Sequence, residues 1–63
     1  MKLFKLKENT YVNLDKVAMV TLYLHGGKWL ICLEFKGGVA NTSFDTKEEA
    51  ENCLAEIMKH NDI

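Results

Sequence analysis

Along residues 18–35 the chain is apolar at every second position: Ala18, Val20, Leu22 and Leu24, then Trp29, Ile31, Leu33 and Phe35. A period of two is the signature of a strand with one buried face. Gly26-Gly27 divides the run, and Gly37-Gly38 follows it. A glycine pair between two β-rich runs marks a tight hairpin, because such turns require positive φ.

With Gly26-Gly27 as a two-residue loop, His25 faces Lys28. Leu24 then meets Trp29, Leu22 meets Ile31, Val20 meets Leu33 and Ala18 meets Phe35. Every pair is apolar on both sides, and a one-residue slip breaks all four, so the pattern predicts this register. With Gly37-Gly38 as a second two-residue loop, Ala40 meets Phe35, Thr42 meets Leu33 and Phe44 meets Ile31. Residues 39–44 are then a third antiparallel strand, with Val39, Asn41 and Ser43 on its other face.

From residue 46 the period changes. Ala50, Cys53, Leu54, Ile57 and Met58 recur at helical spacing, one apolar stripe. Thr46-Lys47-Glu48-Glu49 reads as a capping box, with Glu48 and Glu49 at the positive end of the helix dipole and Lys59 and His60 at the negative end. The stripe is expected to cover the sheet face lined by Val20, Leu22, Leu24, Trp29, Ile31, Leu33 and Phe44. Residues 2–7 and 11–14 each read as a short strand around a turn at Glu8-Asn9-Thr10, but apolar residues on both faces leave their register open. The expected fold is α+β: an antiparallel sheet of four to five strands packed on one C-terminal helix, with residues 1–63 as one small domain.

One helix covers one face of such a sheet. The second face carries Val17, Met19, Thr21, Tyr23, Leu30 and Cys32, ringed by His25, Lys28, Glu34 and Lys36. Apolar patches of this kind usually mark an interface. Cover by the N-terminal strands, by a second copy, or by another partner are the alternatives. A chain of 63 residues buries a small core, and short chains often recover stability by self-association. Met19, Tyr23, Leu30 and Cys32 are therefore the candidate contact residues of a homo-oligomer, or of an adaptor or inhibitor of a larger protein.

Charge adds a second candidate. The formal net charge is −1, with Lys as the only basic residue type besides His. Six of the eight Lys fall in residues 1–36, and six of the nine acids in residues 37–63. Tyr23, His25, Lys28 and Lys36, with Lys5 or Lys7 nearby, form an alternative single-stranded nucleic-acid surface, since aromatics stack bases while lysines track phosphates. The absence of Arg, the usual residue for bidentate phosphate and base recognition, counts against it. Lysines that only solubilise sheet edges are the commoner case.

His25, Cys32, Cys53 and His60 supply the residue types of a zinc site, but their spacing matches no zinc motif. The register puts Cys32 and Cys53 on opposite sides of the sheet, which disfavours a shared metal or an internal disulfide. Neither glycine pair leads into a helix, so neither is a phosphate loop. No cofactor is implied, and no nucleophile–base pair stands out, so no enzymatic activity is expected. No apolar run is long enough for a signal peptide or a membrane span. The expectation is a cytoplasmic protein with two free thiols and no membrane contact.

The run Thr10-Tyr11-Val12-Asn13-Leu14-Asp15-Lys16-Val17, the strand end Leu33-Glu34-Phe35-Lys36-Gly37-Gly38 and the helix start Asp45-Thr46-Lys47-Glu48-Glu49-Ala50 form a layout over most of the chain. It resembles that of very short bacterial and phage proteins, among them flagellar and swarming-motility proteins of the FlbD type. This chain has a longer first hairpin and a more acidic helix. The resemblance implies a small regulatory or accessory protein without catalytic residues, and it transfers no site.

Overall fold

A computed structural model describes residues 2–61. Five strands are followed by one helix: β1 (Leu3–Lys7), β2 (Thr10–Asn13), a 3-10 turn (Leu14–Lys16), β3 (Val17–His25), β4 (Lys28–Phe35), β5 (Gly38–Phe44) and α1 (Lys47–Asn61). The architecture is α+β with antiparallel pairing throughout. The strands form two sheets, β1-β2 and β3-β4-β5, rather than the single sheet expected. The 3-10 turn separates them. Asn13 initiates it by accepting a hydrogen bond from the Asp15 backbone N–H at 3.0 Å, and the chain turns before β3 begins.

The first hairpin has the expected register at its core: Leu24↔Trp29, Leu22↔Ile31 and Val20↔Leu33. Gly26 and Gly27 both have positive φ, 59° and 79°, as a turn matching strand twist requires. The last pair differs. Phe35 lies opposite Val17, because the ladder is irregular between Val17 and Met19. The bulge turns Ala18 out to solvent and Val17 toward the core, so Val17 leaves the second face. A branched aliphatic there fills more apolar volume than Ala18 would.

The second hairpin turns one residue earlier than expected. Lys36-Gly37 is the loop, Gly37 has φ 95°, and Gly38 pairs with Phe35. The pairs become Leu33↔Ala40, Ile31↔Thr42 and Trp29↔Phe44, a shift of two residues. Such a shift keeps every side chain on its face, so hydrophobic patterning cannot detect it. It gives Trp29 an aromatic cross-strand partner in Phe44, a pairing that stabilises sheets.

In the N-terminal hairpin, Leu3↔Asn13, Phe4↔Val12 and Lys5↔Tyr11 are followed by an irregularity before Lys7↔Thr10. Asn9 takes positive φ in the turn, which Asn tolerates well. Leu6, Val12 and Leu14 are buried and join Ile31, Leu33 and Ile57 in one hydrophobic cluster. The hairpin and the helix therefore cover the same face of the three-stranded sheet. Its ring contact between Phe4 and His60, edge to face with centroids 5.7 Å apart, ties it to the last helical turn.

The helix begins as its capping box dictates. The Thr46 hydroxyl accepts from the Glu49 N–H at 3.2 Å, and the Glu49 carboxylate accepts from the Thr46 N–H at 3.2 Å. Such caps contribute about 1 kcal/mol. Thr46→Ala should lower stability by about that amount in chemical denaturation, while Glu51→Ala, on the exposed side of the helix and outside the box, should change it far less. Ala50 and Ile57 are buried, and Cys53 and Leu54 pack against the cluster. Met58 departs from the expected stripe and is 64% exposed. It lies one residue beyond Ile57, where the helix surface has turned past the sheet. Leu24, on the edge strand β3, also stands exposed.

Candidate interaction face

With the N-terminal hairpin and the helix on one side, no other element among the described residues covers the opposite face of β3-β4-β5. The registers arrange it as rows across the three strands. Met19, Glu34 and Val39 form one end row. Thr21, Cys32 and Asn41 come next, then Tyr23, Leu30 and Ser43. His25 and Lys28 close the other end, with Asp45 beside Lys28.

Met19, Tyr23 and Val39 are 49%, 38% and 64% exposed, so the apolar surface here is open to water. Leu30 and Cys32, on the central strand, are half-buried by their flanking neighbours. The structure thus brings the four expected contact residues together on two adjacent strands. Val39 extends the patch to β5. Its signal was legible in the alternation 39, 41, 43 along that strand.

The end rows carry charge. Lys28 Nζ hydrogen-bonds Asp45 Oδ1 on the exposed surface. The bond holds the Lys28 ammonium above its ordinary pKa and the Asp45 carboxyl below its own. Sequence reasoning missed Asp45. It follows Phe44 directly, so the corrected register places it across from Lys28. Glu34, at the opposite end, is half-buried between Met19 and Val39 and has no ion-pair partner among the described residues.

The alternative nucleic-acid residues divide. Tyr23, His25 and Lys28 cluster at one end of the face, and Lys36 sits in the turn at the other. Two cations at opposite ends, one of them bridged to a carboxylate, do not make a continuous phosphate track.

His25, Cys32, Cys53 and His60 are not gathered. Among the described residues no group of three or more His, Cys, Asp or Glu side chains is placed to hold a metal. Cys32 and Cys53 are free thiols on opposite sides of β4, and burial pushes the Cys53 thiol up. No pocket is found among the described residues. Among the described residues no helix is long and apolar enough to cross a membrane.

On the core side, Lys47 Nζ lies over the Trp29 ring at 5.4 Å from its centroid. That contact puts Trp29 under the start of the helix, away from the open face. No family model, curated protein or solved structure matches this chain.

Proposed function

We propose that this chain is a non-enzymatic interaction or regulatory protein that works through the open face of β3-β4-β5, with a second copy of itself as the first partner. The observation that carries the reading is the exposure of Met19, Tyr23 and Val39 around Leu30 and Cys32. Leaving large apolar side chains in water forgoes about 1.5–3 kcal/mol for each one fully covered. A domain this small has little stability to spare. The chain's own covering elements are already spent on the other face. The sequence layout, which resembles that of FlbD-type proteins, supports the same class of small accessory protein.

Sedimentation velocity of the wild type from low micromolar to millimolar concentration tests the reading. A mass rising from monomer to dimer is expected. A monomer throughout would overturn self-association and leave the face to a different protein. A salt titration of binding to labelled single-stranded DNA separates the nucleic-acid alternative. A steep, salt-sensitive affinity would mark phosphate contacts, and none is expected.

A further inference from the structure

We propose that the outer edge of β3 takes an extended segment of another protein as a further strand of the sheet. Pairing at this edge is independent of self-association through the open face, and either can fail alone. β3 is hydrogen-bonded to a strand on one side only, to β4. The two-residue turn at Gly26-Gly27, both at positive φ, bonds His25 to Lys28. Bonded and non-bonded pairs alternate along an antiparallel ladder. His25, Tyr23, Thr21 and Met19 therefore turn their backbone groups to β4, and Leu24, Leu22 and Val20 turn theirs outward. Among the described residues no hydrogen bond reaches those outward N–H and C=O groups. The turn bounds this regular edge at one end, and the irregularity between Val17 and Met19 bounds it at the other.

Sheet edges usually carry a charge, a proline or a covering segment that blocks further pairing. Val17–His25 contains no lysine, acid or proline. The two edges of the sheet differ, because β1 packs beside β5. The helix packs on β4, β5 and the 3-10 turn. On the helix side of β3, Val20 and Leu22 stay half-buried and Leu24 exposed.

The chemistry of the edge selects its occupant. Val20, Leu22 and Leu24 each offer a donor and an acceptor, repeating about every 6.8 Å, and another extended backbone matches that repeat. Side chains of an added strand point alternately to the two sides. Those on the helix side lie beside Val20, Leu22 and Leu24 and should be apolar. Those on the other side lie beside Met19, Thr21 and Tyr23 and can be polar. The occupant is thus an extended segment that alternates apolar and polar residues, lacks proline and pairs antiparallel, as the whole meander does. Main-chain hydrogen bonds give such added strands their affinity. β3 of a second copy is the competing occupant. It would add one ladder and no packing layer, since the helix of each copy lies over β4 and β5. A flexible segment can pair and also fold its side chains over Leu22 and Leu24.

A labelled peptide Lys-Thr-Val-Thr-Ile-Thr-Val-Lys, blocked at both ends, is the probe. It should bind the wild-type chain with micromolar affinity in fluorescence anisotropy. Amide exchange followed by NMR identifies where it binds. In the free chain the Val20, Leu22 and Leu24 amides should exchange fast, and the Thr21 and Tyr23 amides slowly. Saturating peptide should slow the first three by about tenfold or more and leave the other two little changed. Side-chain contact alone does not produce that alternation. Leu24→Pro removes an outward N–H and no hydrogen bond of the meander, so it should weaken binding by about tenfold. Circular dichroism reports whether this variant folds; if it does not, the exchange pattern of the wild type carries the test. Absence of binding up to millimolar peptide, or no slowing at the three amides under saturating peptide, would overturn the proposal. Slowing at the same amides that grows with protein concentration in the absence of peptide would also overturn it, because β3 of a second copy would then hold the edge.

Discussion

Ile57→Ala is expected to cost about 2–4 kcal/mol of folding stability. Ile57 is 3% exposed and touches the cluster in which the N-terminal hairpin, the sheet and the helix meet: Leu6, Val12, Leu14, Ile31 and Leu33. Truncation removes three carbons and leaves a cavity that three separate elements would have to close. For a domain whose whole stability is of the order of 5 kcal/mol, that loss leaves a substantial unfolded fraction at room temperature. Urea denaturation should show a large drop in midpoint with little change in slope. Met58→Ala, one residue on, should stay within about 0.5 kcal/mol. Similar values for the two would mean that the helix faces the sheet differently.

Leu30→Glu should convert a dimer into a folded monomer. Leu30 sits near the centre of the open face, between Tyr23 and Ser43. In a two-fold contact the substitution buries two carboxylates near the axis without cations, and an unpaired buried charge is costly. The free chain should tolerate the change, because Leu30 belongs to neither the buried cluster nor the residues packed against it. Trp29 points to the opposite side, under Lys47. Its fluorescence should therefore report an undisturbed core while the sedimenting mass halves. A variant that still dimerises with wild-type affinity would move the contact to another surface.

Legibility in the sequence followed what each kind of pattern can report. The Leu24–Trp29 and Leu22–Ile31 pairs were readable because a one-residue slip reverses faces. The capping box was readable because Thr46 and Glu49 are three apart and each satisfies the other's backbone N–H. The second hairpin was misread by two residues, a displacement that leaves every face unchanged. Only turn chemistry distinguishes the two registers, and one glycine at positive φ sufficed where two were available. Val17 was assigned to the open face because a bulge has no hydrophobic signature of its own. The division into two sheets was hidden in Leu14–Lys16, where a 3-10 turn replaces what reads as a continuous lead into β3. The open face itself was legible from Met19, Tyr23, Leu30 and Cys32. The Lys28–Asp45 pair was not, since it depends on the register that was displaced.

The Phe4–His60 ring contact closes nearly the whole chain into a loop. Each strand of the meander needs only its sequence neighbour, and so does each strand of the N-terminal hairpin. Those pairings join short segments at low entropic cost, whereas bringing distant chain segments together is dearer and slower. Assembly thus has a natural order, in which the N-terminal hairpin and the three-stranded meander form first and wait for the helix to dock and the far ends to meet. Thermal fluctuation runs the same order backwards. The first opening is expected to separate the Phe4 strand from the last helical turn and let water reach Leu6 and Ile57, with the three-stranded meander the last part to come apart.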